Sequence, residues 1–344
     1  MWDPRSFQDT DYGLEDGESF EPEEDDDSNV IDISQPHVMT VLGPIASSEL
    51  GVCLHREHIL CNPVAIAESE PDYRLDNLTN AQIDIEAYLT VGGRGIVDCS
   101  PVDYGRDMDG LVSIAQRVPA HILAVTGRHT DLHARLMLNR LDIDALSDEF
   151  VSEITSGTGR FRAKPGLVTF GTSVDSITEV EEVAVRAVAR SAVATGVSVT
   201  THTEAGTQAI EQLEILASEG MPLDRVIIGH LDRRMDWEYL VEVAQAGAFL
   251  SFDQIGKPHF GADQPKARTI VRLAEAGYAD QLLISQDVAR RSELMSYGGM
   301  PGLTYLMEQF TLMLMEEGAG APLVHQLLIE NVARALTIHP VLSS

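Results

Sequence analysis

Thr178-Glu-Val-Glu-Glu-Val-Ala-Val-Arg-Ala-Val-Ala-Arg-Ser-Ala-Val-Ala-Thr-Gly-Val-Ser-Val-Thr-Thr-His202 contains a helix and the strand it feeds. Thr178 with Glu181 three places on is a capping box, which satisfies the first free N–H groups of a helix. Val183, Ala187, Val188, Ala192 and Val193 then recur at helical spacing on one face, and Gly196 supplies the stop. From Val197 the pattern switches to a β-branched run that closes on His202. The same alternation runs through the chain from residue 38. Short β-branched runs at 51–58, 95–99, 121–126, 166–170, 197–202, 225–230, 248–252 and 281–287 are separated by spacers long enough for crossover helices. Eight such units predict an α/β fold, a (β/α)8 TIM barrel over residues 37–344, with its working face at the C-terminal ends of the strands.

Composition narrows the function. The 344 residues carry 54 acidic and 24 basic side chains, a formal net charge of −30. Nucleic-acid phosphates or an anionic membrane would repel such a chain, which leaves small molecules and cations as expected partners. Only Lys164, Lys257 and Lys266 are lysines. Excess carboxylate with scarce lysine is the balance of a salt-adapted protein, although a GC-rich coding bias would also favour arginine. Residues 1–36, with the run Glu21-Pro-Glu-Glu-Asp-Asp-Asp27, read as an acidic disordered extension. Cys53, Cys61 and Cys99 are odd in number, widely spaced and set in apolar surroundings, as buried reduced thiols are. With no apolar run of membrane length and no signal-like N-terminus, the expectation is a soluble cytoplasmic protein.

His58, His202, His230 and Asp287 each close a predicted strand, numbers one, five, six and eight. In a barrel these side chains converge on one mouth, and three imidazoles with a carboxylate suit zinc or a similar divalent ion. A lone histidine at such a place is more often a satisfied core residue; four groups at matching strand ends point to a site.

Thr40-Val-Leu-Gly-Pro-Ile, Leu50-Gly-Val-Cys-Leu-His-Arg-Glu-His58, Ala194-Thr-Gly-Val-Ser-Val-Thr-Thr-His-Thr-Glu-Ala-Gly206, Ile228-Gly-His-Leu-Asp232, Phe252-Asp-Gln-Ile-Gly-Lys257, Leu283-Ile-Ser-Gln-Asp287 and Asn331-Val-Ala-Arg334 follow one another in a familiar order. Together they resemble the phosphotriesterase family of the amidohydrolase superfamily. The resemblance implies a paired-metal site built from a His-x-His pair on strand one, a carboxylated lysine on strand four, His202, His230 and Asp287. Two positions depart from it. The first histidine of the pair falls on Arg56, and the bridging lysine falls on Thr169. A neutral hydroxyl cannot replace an anionic two-oxygen bridge, and Arg56 brings a fixed positive charge whose natural partner is Asp287. Strand alternation counted from His58 turns His55 away unless a β-bulge intervenes. Glu204 is a candidate replacement ligand, with an exposed loop carboxylate as the plainer reading, and Lys164 has the wrong parity to substitute for the bridge.

The run Asp287-Val-Ala-Arg-Arg-Ser-Glu-Leu-Met-Ser-Tyr-Gly-Gly-Met-Pro-Gly302, with Lys257 and Arg233, resembles the branch of the family that hydrolyses sugar lactones, some of them phosphorylated. Lys257, Arg290, Arg291, Tyr297 and Arg233 are then candidates for binding an anionic substrate. The expected activity is metal-dependent opening of a lactone or related ester. In it His58, His202, His230 and Asp287 hold the ion, Asp287 moves the proton and Arg56 lies at the reacting centre, with one zinc favoured over two. The alternative is a retired or metal-free barrel that binds an anionic small molecule through Arg56, Arg290 and Lys257. The resemblance also allows a homodimer.

Overall fold

The structure, a computed structural model, describes residues 31–138 and 141–341. Most of the expected acidic extension, residues 1–30, lies outside them. The strands are β1 (Cys53–Glu57), β2 (Gly95–Asp98), β3 (His121–Gly127), β4 (Leu167–Thr172), β5 (Ser198–Thr203), β6 (Val226–Ile228), β7 (Phe249–Phe252) and β8 (Leu282–Ile284). They form one eight-stranded parallel sheet in chain order, with helices in the connections. The seam between β1 and β8 is closed by backbone bonds just above the strands: Asp287 N–H donates to Arg56 O (3.0 Å) and His58 N–H to Val288 O (2.8 Å). Glu57 reinforces the seam by accepting from Ser285 Oγ (2.8 Å) and from the N–H groups of Gln286 (2.9 Å) and Val288 (2.6 Å). The protein is a TIM barrel.

Period-two alternation divides the strands cleanly. Leu54, Ile96, Ile122, Val168, Val199, Ile228, Leu250 and Ile284 face the helices. Cys53, Val97, Leu123, Leu167, Ile227, Phe249 and Leu283 fill the barrel, where Val38, Leu50, Val332 and Leu336 plug its lower end. The helix Glu179–Thr195 begins in the expected capping box, Thr178 accepting from Glu181 N–H (3.2 Å) and Glu181 from Thr178 N–H (3.0 Å), and ends at Gly196 with φ 79°. No helix among the described residues is long and apolar enough to cross a membrane.

Strand one departs from the expected alternation. Its register against β2 slips by one residue between Leu54 and Glu57, a β-bulge. Counted from Cys53, His55 therefore points into the barrel, and the extra residue lets Arg56 point inward as well. Alternation counted back from His58 across a regular strand turns His55 away, and the bulge reverses that expectation. Strands six and eight also end sooner than expected. His230 and Asp287 lie beyond them, on left-handed backbone with φ 60° and 49°, conformations that cost a non-glycine residue and tend to gather at functional sites.

Candidate active site

Polarity rises along the barrel axis. Above the apolar plug, His55, Thr169, Thr200, Ser251 and Asp253 are all buried, and over them opens a cavity of about 350 Å³. His58, His202, His230 and Asp287 line it together, as their strand-end positions predict.

His230 is the best-anchored of these groups. Its backbone N–H and its Nδ1 both meet Asp253 Oδ1, at 3.0 and 2.7 Å, while its Nε2 and His202 Nδ1 share a hydrogen bond of 2.9 Å. His202 Nε2 continues the run to Glu204 Oε2 (3.2 Å), whose other oxygen accepts from Arg233 (3.1 Å). Glu204 thus sits behind His202, on the ring edge opposite His230. His58 Nδ1 bonds Ser100 Oγ (2.7 Å), leaving its Nε2 facing Asp287 Oδ1 at 3.6 Å. Burial pushes the His58 imidazole down to about 3, so the ring is neutral at physiological pH. Burial likewise lowers His202, which the neighbouring His230 lowers further.

Asp287 is surrounded by positive charge. Its Oδ2 accepts from Gln254 Nε2 (2.8 Å) and faces Lys257 Nζ at 3.5 Å, and the same ammonium donates to its backbone carbonyl. Its Oδ1 faces Arg56 Nε at 3.5 Å. Burial works to raise this carboxyl, but Lys257, His230 and Arg56 outweigh it and hold the group well below the usual carboxylate range.

Arg56 lies beneath the cavity rather than in its lining, and 3% of it is exposed. Its NH1 donates to Thr201 O (2.9 Å) and Thr200 Oγ1 (3.2 Å), and its Nε stands 3.6 Å from Asp253 Oδ2. His55 lies in the same layer, its Nε2 3.3 Å from Ser251 Oγ, which in turn donates to Asp253 (2.7 Å).

Of the residues expected to bind substrate, Arg233, Lys257 and Arg290 line the cavity. Arg290 lies over the Tyr73 ring at 4.5 Å and Arg233 over Phe260 at 4.0 Å. Arg291 and Tyr297 are not brought to the cavity. Arg291 donates to Arg74 O (2.6 Å) and Asp76 (3.0 Å) and lies over the Tyr297 ring at 5.3 Å. Lys164 stands at the opposite end of the barrel, beside His37 and Ile338. Sequence reasoning did not single out Asp253, Gln254, Tyr104, His129 or His133. Tyr104 and His129 stack at 4.8 Å, and His129 reaches the His202 ring at 4.7 Å, so together they form one wall of the cavity. Asp253 carried the same signal as the recognised residues, since it directly follows the run Phe249–Phe252.

The donors present do not fit the paired-metal centre that the resemblance implies. Thr169, in register with Thr200 on β5, offers no anionic bridge. Both oxygens of Asp287 already face permanent cations. Among the described residues no three His, Cys, Asp or Glu side chains are gathered so as to hold an ion.

Residues 36–336 match the Phosphotriesterase family. The fold superposes on the crystal structure of a lactonase from Listeria monocytogenes with a TM-score of 0.84 at 33% identity, covering 88% of this chain and 99% of that one. It superposes on the phosphotriesterase homology protein of Escherichia coli, complexed with phosphate in its active site, with a TM-score of 0.80 at 27% identity over 84% and 99% of the two chains. A phospho-furanose lactonase of Mycoplasmopsis synoviae is 26% identical over 86% of this chain and 90% of its own. The chain belongs to the phosphotriesterase family.

Proposed function

We propose that this protein is a hydrolase that opens an anionic lactone, a sugar lactone or its phosphate. The observation that carries this reading is the convergence on one cavity of about 350 Å³ of the Asp287 carboxylate, neutral imidazoles and the cations Lys257, Arg233 and Arg290. Arg233 pairs with Glu204, and Lys257 with Asp287 and Glu293, whereas Arg290 lies over Tyr73 with no carboxylate in ion-pair range among the described residues, which favours an anion at that end of the cavity. The volume is at the small end of ligand sites, about the size of a monosaccharide derivative. The lactonase relatives and the phosphate-bound relative support the same substrate class.

In this reading Asp287 accepts a proton from a water whose oxygen bonds to the lactone carbonyl carbon. The Lys257 ammonium faces the charge that develops on the carbonyl oxygen. The ring C–O bond then breaks, and the proton passes from Asp287 to the leaving alkoxide, giving the hydroxy acid. His230, fixed by Asp253, and His58, fixed by Ser100, shape the floor on which the carbonyl rests. No step uses a metal ion, because the donors do not fit one.

The test is a screen of neutral and phosphorylated sugar lactones by proton release, with Asp287→Asn beside the unaltered protein. Turnover should appear with the anionic lactones and fall at least about 100-fold in the variant. Turnover indifferent to Asp287→Asn would refute the assignment. Tight binding of these compounds without turnover would favour the binding-barrel alternative.

A further inference from the structure

We infer that Arg56 is the permanent inner cation of this site: its guanidinium, carried inward by the bulge in β1, occupies the place beside Asp253 and Asp287 that a divalent ion would need, so the chain retains no ion there. The inference deepens the hydrolase reading above, but it is tested by bound metal and not by turnover.

Three independent features make a niche for this one side chain. The register slip between Leu54 and Glu57 supplies the additional residue that turns inward. Thr200 Oγ1 and Thr201 O accept from NH1 at 3.2 and 2.9 Å, so the guanidinium is held by groups that do not belong to the carboxylates. Gly229 leaves the room: a Cβ there would stand 3.2 Å from NH1 and 2.2 Å from Thr201 O. A guanidinium inside a barrel survives only when its charge is compensated, and here Asp253 at 3.6 Å and Asp287 at 3.5 Å compensate it.

The consequence for a metal follows from charge and space. Arg56 Nε and Asp287 Oδ1 face each other, and neither has a hydrogen-bond partner among the described residues. A divalent ion bound to that oxygen would lie within a few ångströms of both the guanidinium and the Lys257 ammonium. The guanidinium keeps its charge at any working pH, and, against the effect of burial, Asp287 and Glu293 hold the Lys257 ammonium above its ordinary value. Thr169, beside Thr200 in the sheet, adds no negative charge to offset this. Arg56 does not line the cavity, so it acts through Asp287 as a positioning residue.

The experiment measures metal by elemental analysis in the full chain, purified without chelators, incubated with zinc or manganese chloride and desalted. The unaltered protein should retain no stoichiometric ion, and zinc should not raise its unfolding temperature. Arg56→His combined with Thr169→Lys should take up metal, toward about two ions per chain. Stoichiometric zinc in the unaltered protein that a chelator removes would overturn the inference, as would a folded double variant that takes up none. Should the double variant fail to fold, the metal content and zinc response of the unaltered chain still decide. Absence of lactone turnover with no metal bound would sink the hydrolase reading and leave this inference standing.

Discussion

At the scale of single residues, the site is arranged around what is missing as much as around what is present. Gly229 follows β6 directly, and the missing side chain is what lets the Arg56 guanidinium lie against Thr201. A methyl there would stand 2.2 Å from a backbone oxygen, far inside van der Waals contact, and moving backbone is costlier than turning the far end of a flexible side chain. Gly229→Ala should therefore destabilise the fold by about 2 kcal/mol, the usual range for overpacking a filled core. It should also loosen Arg56. Denaturant unfolding in molar salt measures the first effect as a lower midpoint with an unchanged slope. An unshifted midpoint would mean that the guanidinium niche is slack. Asp253 and His230 show the opposite case, a buried carboxylate whose oxygens take a ring N–H and a backbone N–H from one residue, and so fix the ring in one orientation.

At the scale of elements, the closure of the barrel rests on few bonds, since β8 has only the residues Leu282–Ile284. Glu57 takes over where the ladder stops, with three donors from the β8 loop on one carboxyl group. Glu57→Gln keeps the shape but turns one acceptor oxygen into an NH2 group that must face a backbone donor. A loss of about 2 kcal/mol is expected from the broken bond and the stranded donor. Hydrogen exchange at Gln286 and Val288 should speed up before exchange in the interior of β4 and β5. Uniform acceleration across the barrel would place the seam elsewhere. The strands themselves were legible because β-branched runs end abruptly in polar residues, and the helix Glu179–Thr195 because both of its ends are marked, the start by the Thr178 and Glu181 side chains and the stop by Gly196. The bulge in β1 was not legible. Nothing in Leu54-His-Arg-Glu-His58 marks which residue is additional, and the slip becomes visible only against the neighbouring strand. The same slip decides whether His55 and Arg56 face the barrel, so the innermost layer of the site could not be read from spacing alone. The cavity wall of Tyr104 and His129 was hidden for another reason: loops after β2 and β3 bring it together, and loops carry no period.

At the scale of the whole molecule, burial of so many ionisable groups sets how stability follows pH. Burial pushes His55 and His133 down to about 4 and His58 to about 3, and lowers His129 and His202 as well. A ring whose folded pKa lies below its unfolded value of about 6.5 takes up its proton first in the unfolded chain. Its contribution is whole above that value and is lost as pH falls toward the folded one. Burial acts in the other direction on carboxyls, raising Asp103 to about 6 and Asp232 to about 7. These keep their protons in the folded state, so their contribution is whole at acid pH and is lost as pH rises through the folded values. Near pH 5 the rings outnumber the carboxyls and stability rises with pH, by about 1.4 kcal/mol per pH unit for each proton of the difference. Above about pH 7 only the carboxyls still titrate, and stability declines toward pH 8. The net charge of −30 adds self-repulsion that also varies with pH, but molar salt shortens its reach to about 3 Å and leaves the buried groups unscreened. In molar potassium chloride, thermal unfolding should therefore trace a dome with its maximum near neutrality. A midpoint that climbs steadily toward acid pH would show that surface repulsion, and not the buried imidazoles around the cavity, governs the stability of the fold.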